Sequence, residues 1–180
     1  MPTYISMLRG INVSGQKPVK MDQLRRMFEA LGFTQVKTYV QSGNVVFQSK
    51  KIAPADLSKE IEERILREFG FDVPVISKTV EEIGTTIQNN PFLKEKAIDP
   101  AKLHVTFLSG VPAKPALEKL SALDAAPDRF HSLITEIYLH CPDGYGRSKL
   151  SNNVLEKLLS LRATTRNWKT VNELYRMATE

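Results

Sequence analysis

The sequence holds a single cysteine, Cys141, among its 180 residues, so no disulfide can form within the chain. Cys141 stands directly before Pro142 at the end of a predicted strand, and it reads as a buried small hydrophobe. No apolar run approaches the roughly 20 residues that span a bilayer. The start, Met1-Pro2-Thr3-Tyr4, lacks the charged-then-apolar pattern of an export signal. Together these absences predict a cytoplasmic protein with no membrane partner.

Histidine is also scarce. His104, His131 and His140 are the only three. None has metal-ligand spacing to another histidine or to cysteine, and no His-Glu-x-x-His occurs, so no metal site is expected. Glu62-Glu63 and Glu81-Glu82 fall on predicted helices. Neighbouring helical side chains diverge by roughly 100°, so neither pair forms a carboxylate dyad. The Gly-x-Ser-x-Gly elbow and the Gly-x-Gly-x-x-Gly fingerprint are missing, as is the aromatic hallmark segment of RNA-recognition sheets. No cofactor is expected, and no catalytic residue can be assigned from the sequence.

What is present is an ordinary globular composition, 42% hydrophobic and 25% charged, which argues for a packed core. The net charge of +5 is unevenly spread. Residues 1–51 carry eight Lys/Arg against two Asp/Glu, residues 52–140 carry ten against fourteen, and residues 141–180 carry seven against four. The basic excess lies at the two ends of the chain. If those ends meet they make one surface that favours anions; otherwise they are two solvated segments.

Hydrophobic spacing predicts strand Thr3–Arg9, a turn-rich loop Gly10–Lys20, and helix Met21–Leu31 stopped by Gly32. A hairpin over Gln35–Val40 and Val45–Gln48 turns through Ser42-Gly43-Asn44. Helix Pro54–Phe69 and strand Val73–Ser77 complete a β-α-β-β-α-β order, the ferredoxin-like split unit. Thr79-Val80-Glu81-Glu82 reads as a capping box opening a short helix to about Asn89. Pro91 and Pro100 bracket an irregular connector.

The order then repeats. Strand Leu103–Ser109, helix Pro115–Leu123, hairpin Arg129–Leu133 with Thr135–His140, and helix Ser151–Leu161 follow in turn. Thr164 and Thr165 form a last short strand or turn. Thr170-Val171-Asn172-Glu173 is a second capping box before a terminal helix. YISMLRG at Tyr4–Gly10 parallels HVTFLSG at His104–Gly110, an offset of 100 residues that points to duplication. The expected fold is α+β: two tandem ferredoxin-like halves, residues 1–90 and 91–180, with antiparallel-rich sheets and an extra C-terminal helix.

Four segments carry a family resemblance: LRGINVSG at Leu8–Gly15, YVQSGNVVF at Tyr39–Phe47, GRSKLSN at Gly146–Asn152 and ATTRNWKT at Ala163–Thr170. In this order and spacing the chain resembles the bacterial "domain of unknown function 1697" family over nearly its full length. The family commonly has two glycines where Ser14-Gly15 stand here. The resemblance implies a packed pair of ferredoxin-like halves and no assigned activity.

Among motifs, Gly10–Pro18 lies between a strand and a helix, as a phosphate-binding P-loop does. That motif needs lysine directly after its second glycine, followed by Ser or Thr. Here Gln16 intervenes before Lys17, and Pro18 removes a backbone donor. A weaker use survives, because a glycine-bearing loop can form an anion nest from its backbone N–H groups. Thr164-Thr165-Arg166-Asn167-Trp168 offers a guanidinium fork, neutral donors and an aromatic face, though helix capping and core anchoring account for the same residues. Tyr145-Gly146-Arg147-Ser148-Lys149 combines cations with a ring, as a phosphodiester backbone requires, or is a solvated loop.

The functional expectation is a binding module for a phosphate-bearing ligand, nucleotide or nucleic acid, contacted by Arg9, Asn12, Lys17, Lys149, Arg166, Asn167 and Trp168. The alternatives are an enzyme acting on a small anionic metabolite held by Arg9 and Arg166, and a protein-interaction scaffold. The sequence leaves the oligomeric state open.

Overall fold

The computed structural model describes residues 1–180. It contains two four-stranded antiparallel sheets. The chain runs β1 (Thr3–Leu8), α1 (Met21–Ala30), β2 (Thr34–Tyr39), β3 (Asn44–Gln48), α2 (Pro54–Phe69), β4 (Val75–Thr79) and α3 (Val80–Gln88). After 3-10 turns at Pro91–Lys94 and Pro100–Lys102 come β5 (Leu103–Leu108), α4 (Lys114–Ser121), β6 (Arg129–Leu133), β7 (Glu136–His140), α5 (Asn152–Leu159), β8 (Ala163–Asn167) and α6 (Trp168–Thr179).

Strand order is β2-β3-β1-β4 in one sheet and β6-β7-β5-β8 in the other, the ferredoxin-like order twice over. Two compact units result, Met1–Gly84 with Glu173–Glu180, and Thr85–Asn172. The polypeptide passes from one unit to the other within α3 and again within α6. The expected halves, 1–90 and 91–180, place the division at the Pro91 connector. The contacts divide the chain inside α3 because that helix runs on from β4 without a break.

In the first unit alternate residues of the strands face α1 and α2. Tyr4, Leu8, Val45, Phe47 and Val75 join Leu24, Phe28, Leu57, Ile61 and Ile65 in one buried core. Phe47 centres an aromatic cluster there, stacked on Phe33 at 4.7 Å and edge-on to Phe28 at 5.1 Å, arrangements that favour ring quadrupoles. In the second unit Leu108, Ile137, Leu139 and Ala163 pack with Leu120, Leu155 and Leu159. The opposite sheet faces are buried too, through Ile5, Met7 and Ile76 in one unit and Val105, Phe107 and Tyr138 in the other. Neither sheet therefore offers the open aromatic face that RNA-recognition domains use.

The repeat extends to single hydrogen bonds. Leu8 N–H donates to the Gly43 carbonyl and Leu108 N–H to the Thr135 carbonyl, each at 2.8 Å. Arg9 N–H reaches the Pro74 carbonyl at 3.0 Å and Ser109 N–H reaches Arg162 at 2.9 Å. Ser6 bonds Ser77 and Thr106 bonds Thr165, hydroxyl to hydroxyl, both at 2.7 Å. Ser6 and Thr106 stand 100 residues apart, which is the offset read from the sequence.

Helix side chains cover the outward donors of two edge strands. On β4, Val75 N–H donates to Glu62 and Ser77 N–H to Ser58, both on α2. On β8, Ala163 N–H donates to Glu156 on α5. An uncapped edge invites pairing with another chain.

Both hairpin turns hold a β-branched residue in the left-handed region, Val40 at φ 52° and Ile134 at φ 50°. Both are exposed, Val40 at 50% and Ile134 at 73%, so little burial offsets the strain. Such conformations cost about 1–3 kcal/mol, whereas glycine adopts them freely. Ile134→Gly is expected to raise the unfolding free energy by about 1 kcal/mol, once glycine's extra chain entropy is discounted. Urea melts check this; a destabilised variant would refute the strain account.

Candidate functional site

In the first unit, Gly10–Pro18 connects β1 to α1. Its φ angles alternate in sign: Gly10, Asn12, Ser14, Gly15 and Lys17 are positive, and the intervening residues are not. Asn12 braces the loop. Its Nδ2 donates to the carbonyls of Val19 and Gln41, each at 2.8 Å, and its Oδ1 accepts from Val19 N–H at 2.8 Å. Lys17 Nζ donates to the Asp72 carbonyl at 2.6 Å. The loop's own backbone closes it through Asn12 N–H to Lys17 O and Gln16 N–H to Val13 O. Val13 to Gln16 remain exposed, while Ile11 is buried beneath them.

The hairpin Val40–Gly43 flanks this loop. Gly43 is left-handed, and an added Cβ there would lie 2.7 Å from Ile11 Cδ1 and 2.8 Å from Leu8 Cβ. Two of the four family-like segments, Leu8–Gly15 and Tyr39–Phe47, are thus joined by the Asn12–Gln41 bond and by the Gly43 approach. Arg9 is half-buried at the base of the loop and Lys20 is exposed at its end.

In the second unit the other two segments are joined by hydroxyls. Tyr145 OH donates to Thr165 Oγ1 at 3.1 Å, and Thr165 Oγ1 donates to Asn152 Oδ1 at 2.7 Å. A hydroxyl has one proton, so Thr106 must donate to Thr165 across their 2.7 Å contact. The His104 ring stacks on Tyr145 at 5.1 Å. These long-range partnerships, with Tyr145, Asn152 and Thr106 as members, leave no local signature in the sequence. Only the recurrence of Ser6 at Thr106 hints at them.

Arg166 lies on β8, 9% exposed. Its guanidinium donates to Thr164 Oγ1 and to the Thr165 carbonyl, both at 3.0 Å. These neutral oxygens orient the fork. Burial lowers its pKa to about 10, and nearby Tyr145 opposes the shift. Asn167 is exposed and its Oδ1 accepts from Thr170 N–H at 2.8 Å, so it closes the start of α6. That helix begins at Trp168, two residues before the expected Thr170 capping box, because the Asn167 side-chain Oδ1 accepts from Thr170 N–H and caps the helix there. Trp168 is 8% exposed, which leaves its ring little face for a stacked base. Lys149 is exposed, with Nζ 3.4 Å from the Asp124 carbonyl.

Arg9, Asn12 and Lys17 therefore share one loop of the first unit. Arg166, Asn167 and Trp168 share the β8–α6 junction of the second, and Lys149 lies on the segment that also includes Asn152. Cys141 is fully buried. Burial pushes its thiol up to about 11, with Asp128 adding to the rise and Ser148 opposing it, so it is no thiolate nucleophile at neutral pH.

His104 makes a separate prediction. Its Nδ1 is buried with no hydrogen-bond partner. Burial lowers its pKa below the ordinary 6.5, against the Lys102 backbone and the Asp128 charge. A depressed pKa gives stability that is present above the unfolded value and lost as pH falls through the folded one. His104→Phe is expected to flatten the loss of stability below about pH 6.5, as read from urea melts at successive pH values. An unchanged profile would remove His104 as the cause.

Two ferredoxin-like units in tandem, carrying polar glycine-bearing loops at the ends of their sheets, define an α+β protein of duplicated architecture. The model of the family described as "Protein of unknown function (DUF1697)" matches residues 1–138, and the chain belongs to that family. Among solved structures it is similar to conserved bacterial protein SP0830 from Streptococcus pneumoniae. That likeness has a TM-score of 0.76 and 21% identity, over 98% of each chain, and it supports the fold. No curated protein matches the chain.

Proposed function

We propose that this protein is a binding module for a phosphate-bearing ligand, a nucleotide or nucleic acid, engaged first by the Gly10–Pro18 loop. The observation that carries the reading is the alternation of backbone handedness from Gly10 to Ser14. Residues of alternating hand turn successive N–H groups toward one concavity, the arrangement of an anion nest; with Asn12 N–H donated to the Lys17 carbonyl, the exposed Val13–Gly15 stretch would supply its donors. Asn12 holds that shape in advance of binding, so the loop need not be ordered at the ligand's expense. Arg9, Lys17 and Lys20 bring three cations to a stretch without a carboxylate before Asp22, which favours an anion.

The second unit supplies its own proposed contacts. Arg166 is oriented by Thr164 and Thr165, Asn167 follows it in an exposed position, and Lys149 is exposed on the segment that includes Asn152; buried Trp168 anchors the start of α6 and makes no stacking contact. The charge distribution supports the same reading, since both net-positive segments of the chain hold these residues.

Titration with labelled RNA, DNA and nucleotides at low salt tests the proposal. Binding is expected to weaken with salt, and each lysine or arginine removed should reduce the salt slope for nucleic acid by about one. Asn12→Ala should weaken binding although it removes no charge. If none of the three ligand classes binds, or if Arg9→Ala, Lys149→Ala and Arg166→Ala all leave binding untouched, the reading fails.

A further inference from the structure

We infer that the first unit carries a separate site for a small carboxylate, in a cleft between its sheet and the last turn of α6. The cleft has a volume of about 300 Å³ and is lined by Thr3, Gln35, Lys37, Gln48, Met177 and Glu180. That volume stands at the lower end of small-molecule sites, about 300–1,000 Å³, which suits a ligand of a few carbon atoms.

Three features converge on this cleft. The first is a cation held loosely. Lys37 Nζ lies 3.9 Å from Glu180 Oε2, the outer limit of an ion pair, and both side chains are about half exposed. Glu180 meanwhile engages Arg176 through its other oxygen. Arg176 is shared between Glu180 and Glu173. The Lys37 pair is itself exposed and at the limit of contact, and an anion can take Lys37 at little cost because exposed pairs hold weakly.

The second is neutral donors. The Gln35 and Gln48 amides and the Thr3 hydroxyl line the same cleft, and a carboxylate can accept from each of them. A phosphate dianion would meet the Glu180 carboxylate at the same wall, so a monoanion fits better. Met177 offers an apolar contact for a short aliphatic chain.

The third is strain. Strand β2 shifts register between Thr34 and Lys37, and Gln35 within the shift has φ 52°. A bulge re-aims side chains beside functional sites, and a long non-glycine residue in the left-handed region persists only where its surroundings impose it.

The test is titration of the full chain with sodium acetate, propionate and butyrate at constant ionic strength, followed by backbone amide NMR. At least one probe is expected to give saturable shifts at Gln35, Lys37 and Gln48. Lys37→Met should weaken that probe about tenfold or more, as loss of a charge-assisted hydrogen bond does, with the melting temperature unchanged. Gln35→Gly should raise the melting temperature and weaken the probe. Arg9→Ala should leave carboxylate binding intact, which separates this site from the phosphate loop. Linear, unsaturable shifts with all three probes would overturn the inference. So would wild-type affinity in Lys37→Met, or an equal loss in Arg9→Ala.

Discussion

Gly43→Ala is expected to lower the unfolding free energy by about 3 kcal/mol, the sum of overpacking at roughly 1–3 kcal/mol and a left-handed alanine at roughly 1–2 kcal/mol. The residue sits at φ 84° in the hairpin before β3. Its missing side chain is what lets Ile11 and Leu8 approach. The new Cβ would meet Ile11 Cδ1 at 2.7 Å and Leu8 Cβ at 2.8 Å. Leu8 Cβ is fixed to the backbone of β1 and cannot rotate away, and Ile11 is fully buried. Relief therefore requires moving the hairpin, which strains the Leu8 N–H bond to the Gly43 carbonyl. Gly15→Ala is the control. It is also left-handed, at φ 73°, but nothing lies within 4 Å of the added atom. It should cost only the conformational part, about 1 kcal/mol. Urea denaturation of both variants separates the two contributions. Equal losses would show that packing against Ile11 and Leu8 plays no part.

Thr165→Val is expected to cost about 3 kcal/mol, because one hydroxyl serves three partners, buried Thr106 and half-buried Tyr145 and Asn152, at roughly 1 kcal/mol for each bond lost. Valine keeps the shape of the side chain and removes only the oxygen. Tyr145 and Thr106 then lose their acceptor, and Asn152 loses its donor. Ser77→Ala in the first unit breaks a single hydroxyl pair with Ser6 and should cost about 1 kcal/mol, the net worth of one such bond. Tyr145→Phe combined with Thr165→Val should be strongly non-additive, since both variants remove the same bond. If Thr165→Val proves no costlier than Ser77→Ala, the four-membered network is not a cooperative unit.

These two variants probe features of different visibility in the sequence. The fold was legible because its signals are local. Leu24, Met27 and Phe28 recur at helical spacing and are all buried on α1. The Thr79 capping box closes reciprocally, with Thr79 N–H on Glu82 Oε2 and Glu82 N–H on Thr79 Oγ1. Gly70, directly after the predicted helix Pro54–Phe69, ends α2 in the left-handed conformation that glycine adopts freely. Duplication was legible because Tyr4–Gly10 and His104–Gly110 align by the character of their residues.

The roles of the polar residues were less legible. Asn12 looks like a loop donor, but its carboxamide is committed to Val19 and Gln41, which are 7 and 29 residues away. Thr165 looks like a strand residue, and its partners lie 13, 20 and 59 residues away. Asn167 displaced the expected Thr170 cap because a strand that runs directly into a helix leaves its last residue at the capping position. Spacing rules detect periodic burial. They do not detect hydrogen bonds closed by tertiary structure.

The carboxylates and hydroxyl that α2 and α5 lay against β4 and β8 bear on how this protein would fail. Their protection lasts only while the helix stays docked. If α2 lifts from its sheet, Val75 and Ser77 lose Glu62 and Ser58 in the same event, and a ready template for a foreign strand appears without global unfolding. Self-association on storage should then follow the frequency of helix undocking, and the melting temperature would be a poor guide to shelf life.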